Sequence, residues 1–271
     1  MLTCPVCSLA LKVGEKAAVC ENGHHFDRAK EGYFNLLLSS SSKGHGDDKG
    51  MLLARRSFLE KGYYSHLLEA LEQECLRVFP EKGVFVDAGC GEGYYTASIA
   101  KKFFSSEQKA ELFAFDIAKD AAKLTAKKIG AAGTVFVGSC YKMPFDSSSV
   151  DLILSVFSPL AEEEFLRVLK PGGYLICAAP MPDHLFALKK AVYEVPKKNE
   201  KNVQMIPGFS QTSFRRVQKE IDLSCGEDIL ALFGMTPYSH KTSREDIAKL
   251  SVISKICVET DFGIYTYRKE V

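Results

Sequence analysis

Asp87-Ala88-Gly89-Cys90-Gly91-Glu92-Gly93 follows the apolar run Val84-Phe85-Val86 and leads into Tyr94–Phe104, where apolar residues recur at helical spacing. A strand that turns through glycines into a helix sets free helix N–H groups against polar ligand atoms. Gly89 and Gly91 permit the tight turn and let the backbone approach a ligand that a side chain would block. The glycines fall as G-x-G-x-G, with Asp87 two residues before the first. The dinucleotide spacing G-x-G-x-x-G would need glycine at 94, where Tyr94 stands.

Downstream, apolar runs alternate with helical segments. Leu112–Phe115 reads as a strand, Ala118–Ile129 as a helix, and Val135–Val137 and Leu152–Val156 as strands. A helix through Glu162–Leu169 and a strand at Tyr174–Ala178 follow. This alternation predicts an α/β fold with a parallel sheet and crossover helices. Val252–Val258 and Phe262–Tyr267 read as a terminal antiparallel pair. Asp116 ends the second strand, where an acid can accept bonds from both hydroxyls of a ribose. Its other reading is a cap for the helix beginning near Ala118. Leu169-Lys170-Pro171-Gly172-Gly173 stops a helix before the fifth strand.

Residues 1–34 are short strands and turns, too few to bury a core unaided. Cys4-x2-Cys7-x12-Cys20-x3-His24 has the spacing of a closed Cys3His zinc site, structural rather than catalytic. His25 is a rival fourth ligand, and an iron–sulfur cluster is the other use of such donors, less suited to this spacing. Residues 39–50 contain no apolar residue and are rich in Ser and Gly. The chain therefore divides into a zinc module at 1–34, a flexible linker at 35–50 and a larger α/β domain at 51–271.

The 271 residues, 46% hydrophobic, suffice for one such domain plus a small module. No apolar run approaches the roughly 20 residues needed to span a bilayer. Met1-Leu2-Thr3-Cys4 shows no basic-then-apolar signal pattern, so a cytoplasmic protein without a membrane partner is expected. Nine cysteines, an odd count, argue against a disulfide framework. The net charge is +1, but residues 187–220 hold eight Lys/Arg against three Glu, a local +5 that leaves −4 for the rest. Such a segment is either a solvated surface or a nucleic-acid contact.

Residues 83–180, with the glycine turn, Asp116 and the Leu-Lys-Pro-Gly-Gly turn in order, resemble the class I methyltransferases. That resemblance implies a Rossmann-like, mostly parallel seven-stranded sheet, and S-adenosylmethionine bound at Asp87, Gly89, Gly91 and Asp116. A narrower likeness extends over nearly the whole chain. Cys4-Pro5-x-Cys7, Cys20-x3-His24-x-Phe26-Asp27, Ala29-Lys30-Glu31-Gly32-Tyr33, Ala54-Arg55-Arg56-x-Phe58-Leu59 and Met235-Thr236-Pro237 carry it. In these stretches the chain resembles the bacterial 23S rRNA (guanine-N1) methyltransferases. The likeness implies methylation of one guanine in a 23S rRNA hairpin loop, with a homodimer as an open expectation. It also implies cofactor contacts from Tyr64, Glu92 and His184, whose plain readings are core packing, a first-turn acid and a helix cap. The turn Phe157-Ser158-Pro159-Leu160 should face the acceptor, with Phe157 either stacking on the target base or buried. It offers no acid to serve as base.

Overall fold

The computed structural model describes residues 1–38, 46–200 and 205–271; the middle of the expected linker, 39–45, and Lys201 lie outside the described residues. Three short strands open the chain: β1 (Leu11–Val13), β2 (Ala17–Cys20) and β3 (His25–Asp27) form one small antiparallel sheet. The next strand, β4 (Tyr33–Asn35), leaves that sheet and pairs in parallel with the edge of the main one. Helices α1 (Lys49–Leu59) and α2 (Ser65–Val78) follow. Asp48 caps α1 by accepting the Met51 N–H at 2.9 Å, so helical order begins inside the stretch read as linker. At its other end the same stretch holds Asn35 in β4 and the buried Leu36.

The α/β core then alternates: β5 (Lys82–Ala88), α3 (Tyr94–Ser105), β6 (Lys109–Asp116), α4 (Lys119–Ile129), β7 (Thr134–Val137), β8 (Val150–Val156), α5 (Glu162–Val168), β9 (Leu169–Pro180) and α6 (Phe186–Val192). Next come β10 (Phe209–Leu223), α7 (Gly226–Gly234), α8 (Arg244–Ser251) and β11 (Ile256–Lys269). The main sheet runs β10-β11-β9-β8-β5-β6-β7-β4. Strands from β4 to β9 pair in parallel, and β11 and β10 are antiparallel additions at one edge. Strand order reverses at β5, between β6 on one side and β8 on the other, which opens a crevice at their carboxyl ends.

Two sequence expectations change. The sheet has eight strands rather than seven, because β4 from the N-terminal region extends the parallel edge. The terminal pair is not Val252–Val258 with Phe262–Tyr267: β11 is one continuous strand, and Val252 follows helix α8. Its partner is β10, from Phe209 to Leu223. Thr260 and Asp261, polar residues between the two runs, are buried within the continuous strand. As an edge strand, β10 exposes most of its side chains and reads as a polar loop.

Two apolar layers cover the sheet faces. One joins residues of α1 through α4 and α6 through α8 to the sheet. The other contains Leu2, Leu11, Ala18, Phe34 and Leu36 together with Val86, Phe113, Phe115, Phe136, Phe145 and Phe165. The N-terminal module is therefore one wall of the α/β core, and the Thr3 N–H clamps it further by donating to the Pro144 carbonyl at 2.7 Å. Phe34 is fully buried in this layer, with the Arg28 guanidinium 4.3 Å from its ring centroid. Phe34→Ala is expected to cost about 3–5 kcal/mol of stability, measured by denaturant unfolding of the zinc-loaded chain; a loss near zero would mean the module does not seal that face.

Candidate functional site

The crevice at the strand reversal is a cavity of about 600 Å³. The glycine turn forms its floor. The N–H groups of Gly89 and Cys90 both donate to the Phe115 carbonyl, at 2.9 and 3.0 Å, which ties the turn to the end of β6. Gly89 has φ +86°, and a Cβ there would lie 2.5 Å from the Ser158 Cβ, so both backbone conformation and space demand glycine. Ser158 is itself fixed by donating to the Ala88 carbonyl at 2.7 Å.

Asp116 Oδ2 accepts the Gly91 N–H at 3.0 Å and Oδ1 accepts the Ala118 N–H at 2.8 Å. The Ala118 bond shapes the turn before α4, whose N-cap Ala118 has no side-chain cap, and Asp116 faces the cavity as well. Burial raises its pKa, partly offset by those backbone donors. Asp87 is more deeply enclosed: burial pushes its pKa up to about 7, against the Thr96 hydroxyl donating at 2.5 Å and with repulsion from Asp116. Glu92 is 1% exposed and paired with Lys128, while its Oε1 has no partner among the described residues. The Tyr95 hydroxyl in the same wall is equally unpartnered.

Asp87, Gly89, Gly91, Glu92 and Asp116 therefore converge on one cavity. Tyr64 and His184 lie outside its lining, in an aromatic cluster with Phe262. His184 Nδ1 accepts the Asp261 N–H at 3.2 Å, and burial holds its pKa down to about 3, so the ring is neutral. Phe157 is not core: it is 44% exposed on the cavity rim, at a φ of +54° uncommon for a non-glycine residue. Missed from the sequence were Asp47, Arg55, Tyr95 and the loop Ser139-Cys140-Tyr141-Lys142. The loop follows a parallel strand, and that position was the signal available. The donors and acceptors fit S-adenosylmethionine: ribose hydroxyls need carboxylate acceptors, and a sulfonium and ammonium favour an acid-lined wall.

In the N-terminal module the ligand atoms of Cys4, Cys7, Cys20 and His24 all lie within 4.8 Å of one another. Cys7 Sγ to Cys20 Sγ is 3.7 Å, and Cys20 Sγ to His24 Nδ1 is 3.4 Å. A tetrahedron with Zn–S near 2.3 Å has S···S edges of about 3.8 Å, so these donors are already spaced for zinc. His25 turns away, with Nδ1 3.3 Å from Asp27. No helix among the described residues is long and apolar enough to cross a membrane.

The fold and cavity define a class I methyltransferase. Residues 86–177 match a methyltransferase-domain family, and residues 2–41 match the zinc ribbon described as RlmA, N-terminal. Solved structures agree on the fold: a candidate methyltransferase of Bacillus halodurans superposes with a TM-score of 0.53 at 15% identity, over 75% of this chain and 99% of that one. The 23S rRNA (guanine(748)-N1) methyltransferase of Streptomyces fradiae is 29% identical, over 92% of this chain and 89% of its own length. A candidate 23S rRNA (guanine-N1) methyltransferase of Micromonospora griseorubida is 31% identical, over 69% of this chain and 68% of its own. Another from Bacillus subtilis is 28% identical over 97% and 95%. The chain belongs to the 23S rRNA (guanine-N1) methyltransferase family.

Two outcomes follow from the geometry. Cys7→Ser should release the zinc, read by metal analysis of the purified protein; full retention would mean the four donors are not its ligands. Asp116→Ala should weaken S-adenosylmethionine binding by about 1–3 kcal/mol, the cost of leaving polar groups unpaired. Calorimetry showing unchanged affinity in the folded variant would reduce Asp116 to its backbone contacts.

Proposed function

We propose that this enzyme transfers a methyl group from S-adenosylmethionine to N1 of a guanine in a hairpin loop of 23S rRNA. The observation that carries the reading is the union, in one chain, of the zinc ribbon and the acid-lined methyltransferase cavity, a union spanning about nine-tenths of the Streptomyces fradiae relative. Asp87, Gly89, Gly91, Glu92 and Asp116 hold the donor directly. Tyr64 and His184 support it from the aromatic cluster behind. S-adenosylmethionine supplies an already activated methyl, so the protein's main task is alignment. Loop bases can splay out of a hairpin and stack on aromatic rings. Phe157, half-exposed at the rim and 5.6 Å from Phe262, is the ring offered for stacking. The substrate guanine must also lose its N1 proton as the methyl arrives.

The basic segment supports an RNA partner in a narrower form than its net charge suggests. Arg216 is engaged by Asp261, Lys189 is buried against Asn199, and Lys198 pairs with Asp183. Lys190 and Lys198 flank the Phe186 ring at 4.7 and 5.4 Å, with Lys197 adjacent in sequence. This basic–aromatic cluster suits a phosphate backbone with unstacked bases. Replacing Lys190 and Lys197 by Gln should weaken RNA binding and flatten its salt dependence by about 0.7 per lost phosphate contact, with S-adenosylmethionine affinity unchanged. Methylation is read by primer extension on 23S rRNA from a deletion strain, before and after treatment with the enzyme. A stop at one guanine restored by the enzyme is expected; no restored stop would remove rRNA as the substrate.

A further inference from the structure

Ala54-Arg55-Arg56 places two arginines side by side, and the fold sends them to different places. Arg56 Nε bonds Glu60 Oε1 at 3.0 Å on the surface of α1. Arg55 enters the cofactor cavity, with 26% of its side chain exposed. Its guanidinium lies over the glycine turn: a Cβ on Gly91 would sit 3.5 Å from Nη1. Nη2 donates to the Met235 carbonyl at 3.2 Å, while Nη1 is held by the carboxylate of Asp47. Asp47 reaches that position because Gly46 packs so closely on the start of α4 that a Cβ there would come within 2.8 Å of Ile117 Cγ2. This brings one more acid into a cavity that already holds Asp87, Glu92 and Asp116, and it repels Asp116.

We infer that Arg55 is the receptor for the α-carboxylate of the bound nucleoside's amino-acid group, and that Asp47 occupies this guanidinium until the ligand's carboxylate replaces it. The inference rests on the methyltransferase reading. An amino-acid group carries one ammonium and one carboxylate. The acids of the cavity suit the ammonium and the ribose, but the carboxylate needs a cation. Lys142, the other cation of the lining, is exposed and also borders the neighbouring cleft against the zinc module. Arg55 is the enclosed one, and a guanidinium fork matches a carboxylate in two parallel bonds. The unpartnered Tyr95 hydroxyl in the same wall supplies a further donor.

The test compares two probes by calorimetry: S-adenosylhomocysteine and its decarboxylated counterpart, identical but for the carboxylate. The parent protein should prefer the first by about ten- to a hundred-fold, the worth of a charge-assisted bond. Arg55→Gln should reduce that preference to about two-fold, and Arg55→Lys should keep an intermediate value, since a point charge replaces the fork. Asp47→Ala should increase the preference several-fold by removing the internal competitor. Equal loss for both probes in Arg55→Gln would make Arg55 a structural brace and overturn the inference. So would an unchanged preference in Asp47→Ala, a variant that keeps the test open if Arg55→Gln does not fold. If the parent binds neither probe, the methyltransferase reading fails as a whole.

Discussion

Two carboxylates enclosed at the ends of neighbouring parallel strands set the terms for this molecule. Asp87 stands one residue before the end of β5 and Asp116 closes β6, and each is tied to groups that would otherwise be orphaned: the Thr96 hydroxyl and the Gly91 and Ala118 N–H groups. Enclosed acids are costly unless hydrogen-bonded. Their retention here draws the glycine turn, the start of α3 and the start of α4 to one point. The turn cannot relax, because Gly89 is trapped against Ser158 and fastened to the Phe115 carbonyl. The result is an acid-lined cavity whose floor is fixed by backbone contacts.

The N-terminal module packs against the strands that carry this cavity. The three-stranded N-terminal sheet has too little apolar surface to stand alone, and four ligands closing on one ion supply what a core would. The apolar residues it does have, Leu2, Leu11 and Phe34 among them, are spent on the second face of the main sheet, against Phe113, Phe115, Phe136 and Phe145. Phe115 lies directly before Asp116, so the N-terminal module packs against the strand that brings Asp116 to the cavity. The loop Ser139–Lys142 links cavity and module, bordering the cofactor site on one side and the cleft beneath the zinc turn on the other.

What the sequence by itself determined was local. The Val-Phe-Val-Asp run into G-x-G-x-G gave the strand, turn and helix at the cavity floor, because a backbone that must bend through positive φ leaves few residue choices. Ligand spacing alone set the Cys4, Cys7, Cys20 and His24 cluster, since each pair comes from one tight turn. Alternation of strand and helix determined the parallel sheet. Tertiary structure decided whatever depended on distant neighbours. The strand β10 looked like a basic loop because an edge strand shows solvent most of its side chains, and β11 read as two runs because the polar Thr260 and Asp261 are buried within it. Arg55 and Arg56 are indistinguishable in sequence; only the packing of α1 over the glycine turn sends one into the cavity and leaves the other in water. Likewise Asp47, read as linker, enters the site because Gly46 can press against Ile117, a contact between segments 71 residues apart that no local pattern encodes.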